Sequence, residues 1–289
     1  MIFRLKLATM RILFFLFFFF FLFSGMPYMG QGQDKNLPAE VVITSQKGPT
    51  KVSGSESGTL RVNVSRGDLK KFKRRGMVRY GDFGAAGDGK TNDMDAIAAT
   101  HAVANQHALP VKADEGATYY IGGQDRTAVI RTNTDFSTAE FIIDDTRVQN
   151  RNAPVFLVSS SQQPFTPEGI SSLKRNQMKI VTSLPGACLI TVTNSGIKRY
   201  IRYGPNQNKG SAQTDIFIVD KEGRVDMKAP IIWDFDQITA ISAIPIDTDT
   251  LTISGGRFTT IANQETSKYS YYSRGISIRR SISKPIFSP

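Results

Sequence analysis

Eight residues carry the most chemically loaded spacing in this chain: Gly84-Ala85-Ala86-Gly87-Asp88-Gly89-Lys90-Thr91. They satisfy G-x-x-x-x-G-K-[ST], in which backbone amides cradle phosphates, the lysine reaches the terminal phosphates and the hydroxyl meets magnesium. An apolar segment (residues 77–83) precedes them and a helix-like segment follows, the strand–loop–helix context that pattern needs. Asp144, at the end of Phe141-Ile142-Ile143, stands where a magnesium-binding partner would be sought. Two features oppose the nucleotide reading. Asp88 places a negative charge inside the loop meant for an anion. The start of the chain also reads as an export signal, and an exported protein does not normally meet ATP.

That start has Arg4, Lys6 and Arg11 and no acid, followed by an unbroken apolar run at 12–23 and a small-residue stretch from Ser24 to Gly30. A helix needs about 20 apolar residues to span a bilayer core, so the run is too short and a secretory signal over residues 1–30 is expected. A short anchor left in place is the alternative. No cysteine lies near the run, which disfavours a lipid anchor. The expected location is secreted, periplasmic or cell-surface, with no membrane span after cleavage.

The net charge is +11, and without the three basic residues of the signal it is +8. Such an excess favours acidic partners: uronic-acid polysaccharides, nucleic acid or anionic membranes. Export disfavours nucleic acid and nucleotides, leaving an acidic polysaccharide as the expected partner. Part of the charge is one run, Lys70-Lys71-Phe72-Lys73-Arg74-Arg75, which reads as a solvated linker. Cys188 is the only cysteine, so no internal disulfide forms, and it reads as core filler beside Leu189 and Ile190.

The best binding candidate is Lys198-Arg199-Tyr200-Ile201-Arg202-Tyr203. As a strand it would put Lys198, Tyr200 and Arg202 on one face and Arg199, Ile201 and Tyr203 on the other. Tyrosine rings offer stacking surfaces and arginines grip carboxylates through two parallel hydrogen bonds, so Arg199, Tyr200, Arg202 and Tyr203 form the candidate site for an acidic sugar. An edge strand protected by charge explains the same residues. Tyr271, Tyr272 and Arg274 are a weaker version.

Carboxylates are the other candidates. Asp234 and Asp236 on a strand would share one face about 6.6–6.8 Å apart, a spacing suited to glycosidase carboxylates or to calcium. Asp247 and Asp249 repeat the spacing. Solvated carboxylates on an exposed strand or turn are the simpler reading of both pairs; no cofactor is assigned with certainty, and Ca2+ is the ion they would suit. Asp144 and Asp145 are adjacent and face opposite sides. His101 and His107 lie about 240° apart around a helix and cannot share a metal.

These groups sit on few helices. Asn92 reads as the N-cap of a helix running to about His107, with Asp93 and Asp95 in its first turn and Pro110 enforcing the stop. Short strands follow at 110–111, 118–121, 127–131 and 139–148, divided by Gly and Asp turns. Runs at 188–193, 199–203, 215–219, 231–235 and 238–246, with turns at Asn194-Ser195-Gly196 and Lys221-Glu222-Gly223, read as an antiparallel insertion.

Residues Asp82-Phe83-Gly84-Ala85, Gly87-Asp88-Gly89, Thr91-Asn92-Asp93 and Ala96-Ile97, then Gly116-Ala117-Thr118-Tyr119-Tyr120-Ile121, resemble the opening motif of pectate-lyase-like right-handed parallel β-helix proteins. Asn92 replaces the usual first aspartate, and Ala113-Asp114-Glu115-Gly116 stands for a P-A-G phrase. The likeness covers 77–143 and returns in Gly255-Gly256-Arg257-Phe258 and Gly275-Ile276-Ser277-Ile278. It implies an all-β chain: a right-handed parallel β-helix with an N-terminal capping helix and a small inserted antiparallel β domain. The expected divisions are 1–30 signal, 31–76 N-terminal extension, 77–158 entry region, 159–246 insertion and 247–289 further coils. Few coils are expected and a truncated frame is favoured, the alternative being that these coils suffice with the insertion as support. The resemblance implies polysaccharide processing by a lyase or glycoside hydrolase, with catalytic residues unassigned. A non-catalytic glycan-binding or surface structural module is the rival.

Overall fold

In this computed structural model the short strands after residue 77 bond to segments one turn of chain away, not to their sequence neighbours. The structure describes residues 41–45, 48–54, 58–122, 125–148, 150, 153–204, 207–263, 274–281 and, for backbone, 283–286. The signal-like residues 1–30 and Tyr271 and Tyr272 lie outside the described residues. Described residues belong to one unit, Asp34–Pro289.

Strands β1 (Val41–Thr44), β2 (Lys51–Gly54) and β3 (Leu60–Asn63) form a small sheet in the order β1-β3-β2, with β1 parallel and β2 antiparallel to β3. The basic run, expected as a solvated linker, is instead part of helix α1 (Arg66–Arg75). Its ends explain why. The Ser65 hydroxyl accepts from the Asp68 amide, and Gly76 closes the helix at φ 75°. Lys73, Arg74 and Arg75 fall in the last turn, where the helix dipole favours cations, and Phe72 alone is buried.

Three sets of strands then stack. The first is β4 (Val78–Arg79) and β5 (Asp88–Asn92), followed by helix α2 (Met94–His107). The second is β6 (Val111–Lys112), β7 (Thr118–Gly122) and β8 (Ala128–Ile130). The third is β9 (Thr134–Asp135), β10 (Glu140–Asp144) and β11 (Phe156–Ser159). An antiparallel sheet interrupts: β12 (Cys188–Arg199), β13 (Ser211–Val219) and β14 (Ala240–Pro245), in the order β13-β12-β14. The stack resumes with β15 (Leu251–Ser254), β16 (Arg257–Ile261), β17 (Ile276–Arg279) and β18 (Ser283–Ile286). Every pairing in the ladders β18-β15-β9-β6-β4, β16-β10-β7-β5 and β17-β11-β8 is parallel. The described residues are therefore mostly β, with two α-helices and three parallel sheets visited in rotation.

Register makes this stacking specific. Tyr119, Phe141 and Phe258 occupy equivalent positions on β7, β10 and β16. Tyr119 and Phe141 lie 5.2 Å apart, and Phe141 and Phe258 stack at 4.9 Å and 12°. Phe136 and Phe156 close on Phe141 edge-on from the other walls. Each fully buried ring contributes about 1.5–3 kcal/mol, so a one-residue slip would expel the whole column. Gly255, at φ 72°, lets the chain turn between β15 and β16; a Cβ there would meet the Ser137 carbonyl oxygen at 2.5 Å.

Helix α2 takes the place of a third strand in the first set. Met94, Ile97, Val103 and Ala104 are buried, with Leu60 and Val62 of the small sheet, and Val64 just beyond it, in the same core. Its N-cap is Asp93, not Asn92, because Asn92 ends β5 and bonds Gly122 across the ladder. The helix stops through Ala108 at φ 52°, two residues before Pro110. In the interrupting segment, β12 runs straight through the expected Asn-Ser-Gly turn, which is absorbed as a register irregularity between Asn194 and Lys198. Residues 231–235 are not a strand and contribute only a bridge from Phe235 to Leu173. Cys188, Ile190, Val192, Phe217, Phe235 and Ala243 belong to a second core, separate from that of the ladders.

His101 is buried on α2, its Nε2 2.9 Å from the Tyr80 hydroxyl, and burial pushes its pKa from 6.5 down to about 3. Below about 6.5 the unfolded chain binds a proton here that the folded chain refuses until about 3, so the fold loses stability as pH falls through that window. The chain has two histidines. Proton NMR should show His107 titrating below the ordinary histidine value while His101 stays neutral down to about pH 4. The wild type should lose more stability than His101→Gln between neutral and mildly acidic pH. A His101 resonance titrating together with His107 would contradict this burial.

Candidate functional site

The Gly84–Thr91 loop is closed upon itself. The buried Asp93 carboxylate accepts from the Ala86 amide at 2.6 Å and the Gly87 amide at 3.1 Å. Asp88 accepts from the Lys90 and Thr91 amides at 2.9 and 2.7 Å and from the Thr91 hydroxyl at 2.8 Å. The Thr91 amide, the Lys90 amide and the Thr91 hydroxyl hold Asp88 down at about 2. Four amides that would face phosphate in the nucleotide reading are thus bonded to the chain's own carboxylates. Gly87, at φ 62°, leaves no room for a side chain, since a Cβ would stand 2.9 Å from that of Ala117. The loop is structural.

The carboxylate pairs do not converge either. Asp234 and Asp236 flank the buried Phe235 outside any strand. Asp234 accepts from the Arg175 amide at 2.8 Å and Asp236 pairs with Lys174 at 2.6 Å, so both fasten one neighbouring turn. Asp247 and Asp249 precede β15 instead of lying on a strand. Asp247 is buried, accepting from Ser160 Oγ at 2.8 Å and Ser281 Oγ at 3.3 Å and facing Arg280 at 3.1 Å. Among the described residues, no three of His, Cys, Asp and Glu stand as metal ligands. Asp144 accepts from the Tyr120 hydroxyl at 2.6 Å, while Asp145 turns inward to Arg274 at 2.7 Å. Both partners of that ion pair are buried, so Arg274 is a core residue and not part of a binding surface.

The segment 198–203 keeps its exposure but not its expected geometry. Strand β12 ends at Arg199, and Tyr200 takes φ 51°. The two-faced alternation through Tyr203 is therefore broken, and the residues form the end of the β12–β13 hairpin. Arg199 is fixed: Nε and Nη2 donate to Gln213 Oε1 at 3.0 and 2.9 Å, and its guanidinium lies 4.3 Å from the Trp233 ring centre. Gln213 is held in turn by donating to the Asp234 carbonyl at 2.8 Å. Beyond Arg199, Tyr200 and Tyr203 are 72% and 83% exposed. Arg202 is exposed too, and its amide donates to Asn208 Oδ1, which also receives the Gly210 amide.

This surface is cationic by sequence. Between Glu168 and Asp215 there is no acidic residue, against seven lysines and arginines. A window over the whole insertion carries that signal, which the six-residue motif does not. Gln213 and Trp233, which position Arg199, were not legible, because only the folded hairpin brings them together. A fixed guanidinium, a freer one and two exposed phenol rings can pair with carboxylates and stack against the C–H faces of sugar rings.

No family model matches the chain, and no curated protein matches it. Among solved structures, the tailspike gp61 of Pseudomonas phage phi297 is 12% identical at a TM-score of 0.39, over 64% of this chain and 34% of that one. The Gp54 tailspike of Acinetobacter baumannii bacteriophage AP22, solved in complex with A. baumannii capsular saccharide, is 8% identical at a TM-score of 0.28, over 71% and 32%. This chain spans about a third of the length of either tailspike. At TM-scores of this size neither likeness bears on what the chain does.

Replacing Asp93 by Asn puts an N–H against one of the two loop amides. Asp93→Asn should lower stability by about 1–3 kcal/mol in urea denaturation, and neither form should retain ATP. Unchanged stability would mean the loop is not held this way.

Proposed function

We propose that this is an exported glycan-binding protein whose β12–β13 hairpin end engages acidic polysaccharide. One observation carries the reading: the hairpin presents Tyr200, Arg202 and Tyr203 to solvent beside an Arg199 already fixed by Trp233 and Gln213. A guanidinium fixed before the ligand arrives loses little entropy on pairing, which favours affinity. The scaffold is read as a right-handed parallel β-helix with a capping helix and an inserted antiparallel domain. The rotating parallel ladders, the position of α2 and the opening motif support it. Export rests on the signal-like residues 1–30. Among the described residues no helix is long and apolar enough to cross a membrane.

Binding is favoured over turnover by the state of the carboxylates. Asp234 and Asp236 are tied to residues 174–175, and Asp247 already accepts two hydroxyl bonds and faces a guanidinium. About three of its four lone-pair positions are occupied. These are the marks of fixed cross-links more than of a proton-shuttling pair.

Affinity electrophoresis through polygalacturonate or alginate tests this. The wild type should be retarded in a salt-sensitive manner without releasing reducing or unsaturated ends. Tyr203→Ser and Arg202→Ser should each weaken retention by about fivefold. Loss of Trp233 fluorescence change on adding the polymer should accompany Arg199→Ala. Retention unaltered in all three variants, or release of product, would overturn the reading.

A further inference from the structure

The antiparallel segment leaves the stack after β11 and rejoins it at β15, so two lengths of chain pass side by side over the turn between β8 and β9. The Ser160 hydroxyl donates to Asp247 across these two lengths, and Thr252 N–H donates to Asn133 Oδ1 at 2.9 Å, tying the returning length to the turn. Between them lies a cleft of about 320 Å3, lined by Arg131, Thr132, Asp247, Asp249, Thr250 and Arg280 among others. That volume is at the lower end of ordinary ligand pockets, about 300–1,000 Å3.

Two kinds of group face this space. Asp247 and Arg280 are mutually paired and buried, with Arg280 Nη2 also donating to the Asp249 carbonyl at 2.7 Å, so they form a rigid wall. Others are uncommitted among the described residues. Arg131 spends only Nε, on Ser159 Oγ at 3.3 Å, leaving both terminal amino groups without a protein partner. The Asp249 carboxylate is exposed and makes no side-chain bond, and the Thr132 hydroxyl is buried with no partner. A buried hydroxyl without a bond costs stability unless something supplies one. Ala108, Pro110 and Leu251 add an apolar edge.

The charges balance: two guanidiniums against two carboxylates. Balanced donors and acceptors beside an apolar edge suit a ligand with many hydroxyls, a C–H face and no net charge. This differs from the hairpin end, which has cations alone. We propose that the cleft is a second saccharide subsite that takes an uncharged hexose residue, and that the glycan bound by this protein therefore contains neutral as well as acidic residues. The inference rests on the glycan reading above.

An array of uncharged and uronate-containing oligosaccharides, probed with the full chain at low and high salt, tests it. Some uncharged oligosaccharides should be retained at both salt levels, while binding to uronate-rich ones falls with salt. Asp249→Ala and Arg131→Ala should reduce the uncharged set by about tenfold and leave the uronate-rich set unchanged. Tyr203→Ser should do the reverse. Both cleft residues are exposed, and unchanged Trp233 fluorescence would verify that the variants fold. Retention of no uncharged glycan, or retention that survives both cleft substitutions, overturns the cleft proposal. If the cleft proposal fails in either way, loss of uronate binding in Tyr203→Ser still leaves the hairpin reading standing; uronate binding that ignores Tyr203 and Arg202 would remove the hairpin reading instead.

Discussion

The buried carboxylate of Asp93 ties together three parts of the chain: the glycine-rich loop, β7 and α2. Its oxygens take the Ala86 and Gly87 amides, its own amide donates to the Tyr120 carbonyl at 2.9 Å, and its carbonyl receives the Ile97 amide. One residue thus folds the glycine-rich loop, joins it to β7 and starts α2. Burial outweighs the two amide bonds and lifts its pKa above the ordinary carboxylate value. With α2 in place, its apolar residues close the end of a stack whose first strands would otherwise face water. A pattern that in another setting binds an anion is occupied here by an internal one.

From that end the structure grows by repetition. Each strand bonds the equivalent strand one turn on, and the inward residues form continuous columns: Val78, Val111, Thr134 and Ile253 on one wall, Tyr119, Phe141 and Phe258 on another. Parallel ladders leave outward side chains in rows and leave turns free to carry insertions. The longest such excursion carries the antiparallel sheet with its own core, and from it projects the cationic hairpin end. Asp247, held by Ser160, Ser281 and Arg280, fastens the base of that excursion to the stack. The packed scaffold and the exposed Tyr200, Arg202 and Tyr203 therefore belong to different parts.

Much of the scaffold was legible in local pattern. Helix α2 declared itself through its first-turn acid and Pro110, and Thr118-Tyr119-Tyr120-Ile121 through alternation between glycine turns. Strand β5 was not legible, because its residues Asp88–Asn92 are polar and mostly exposed and it exists only by pairing with β7. Helix α1 was hidden for a similar reason: six of its ten residues are charged cations and only Phe72 is buried. The candidate site was legible by residue type but not by geometry. Alternation predicted a strand through Tyr203, whereas the positive φ at Tyr200 ends it. Arg274 was read as surface, but its partner Asp145 lies 129 positions away in the chain. Such long-range pairs leave no periodic trace, and a positive φ at a tyrosine leaves none either.

In the proposed function the hairpin end, and not the glycine-rich loop, meets the ligand. Hydrogen–deuterium exchange of the full chain with and without polygalacturonate addresses it residue by residue. Slowed exchange is expected in the hairpin around residues 197–213 alone, with the amides of residues 84–91 unchanged. Slowing in the 84–91 loop, or none in the hairpin under conditions where the polymer is bound, would contradict it.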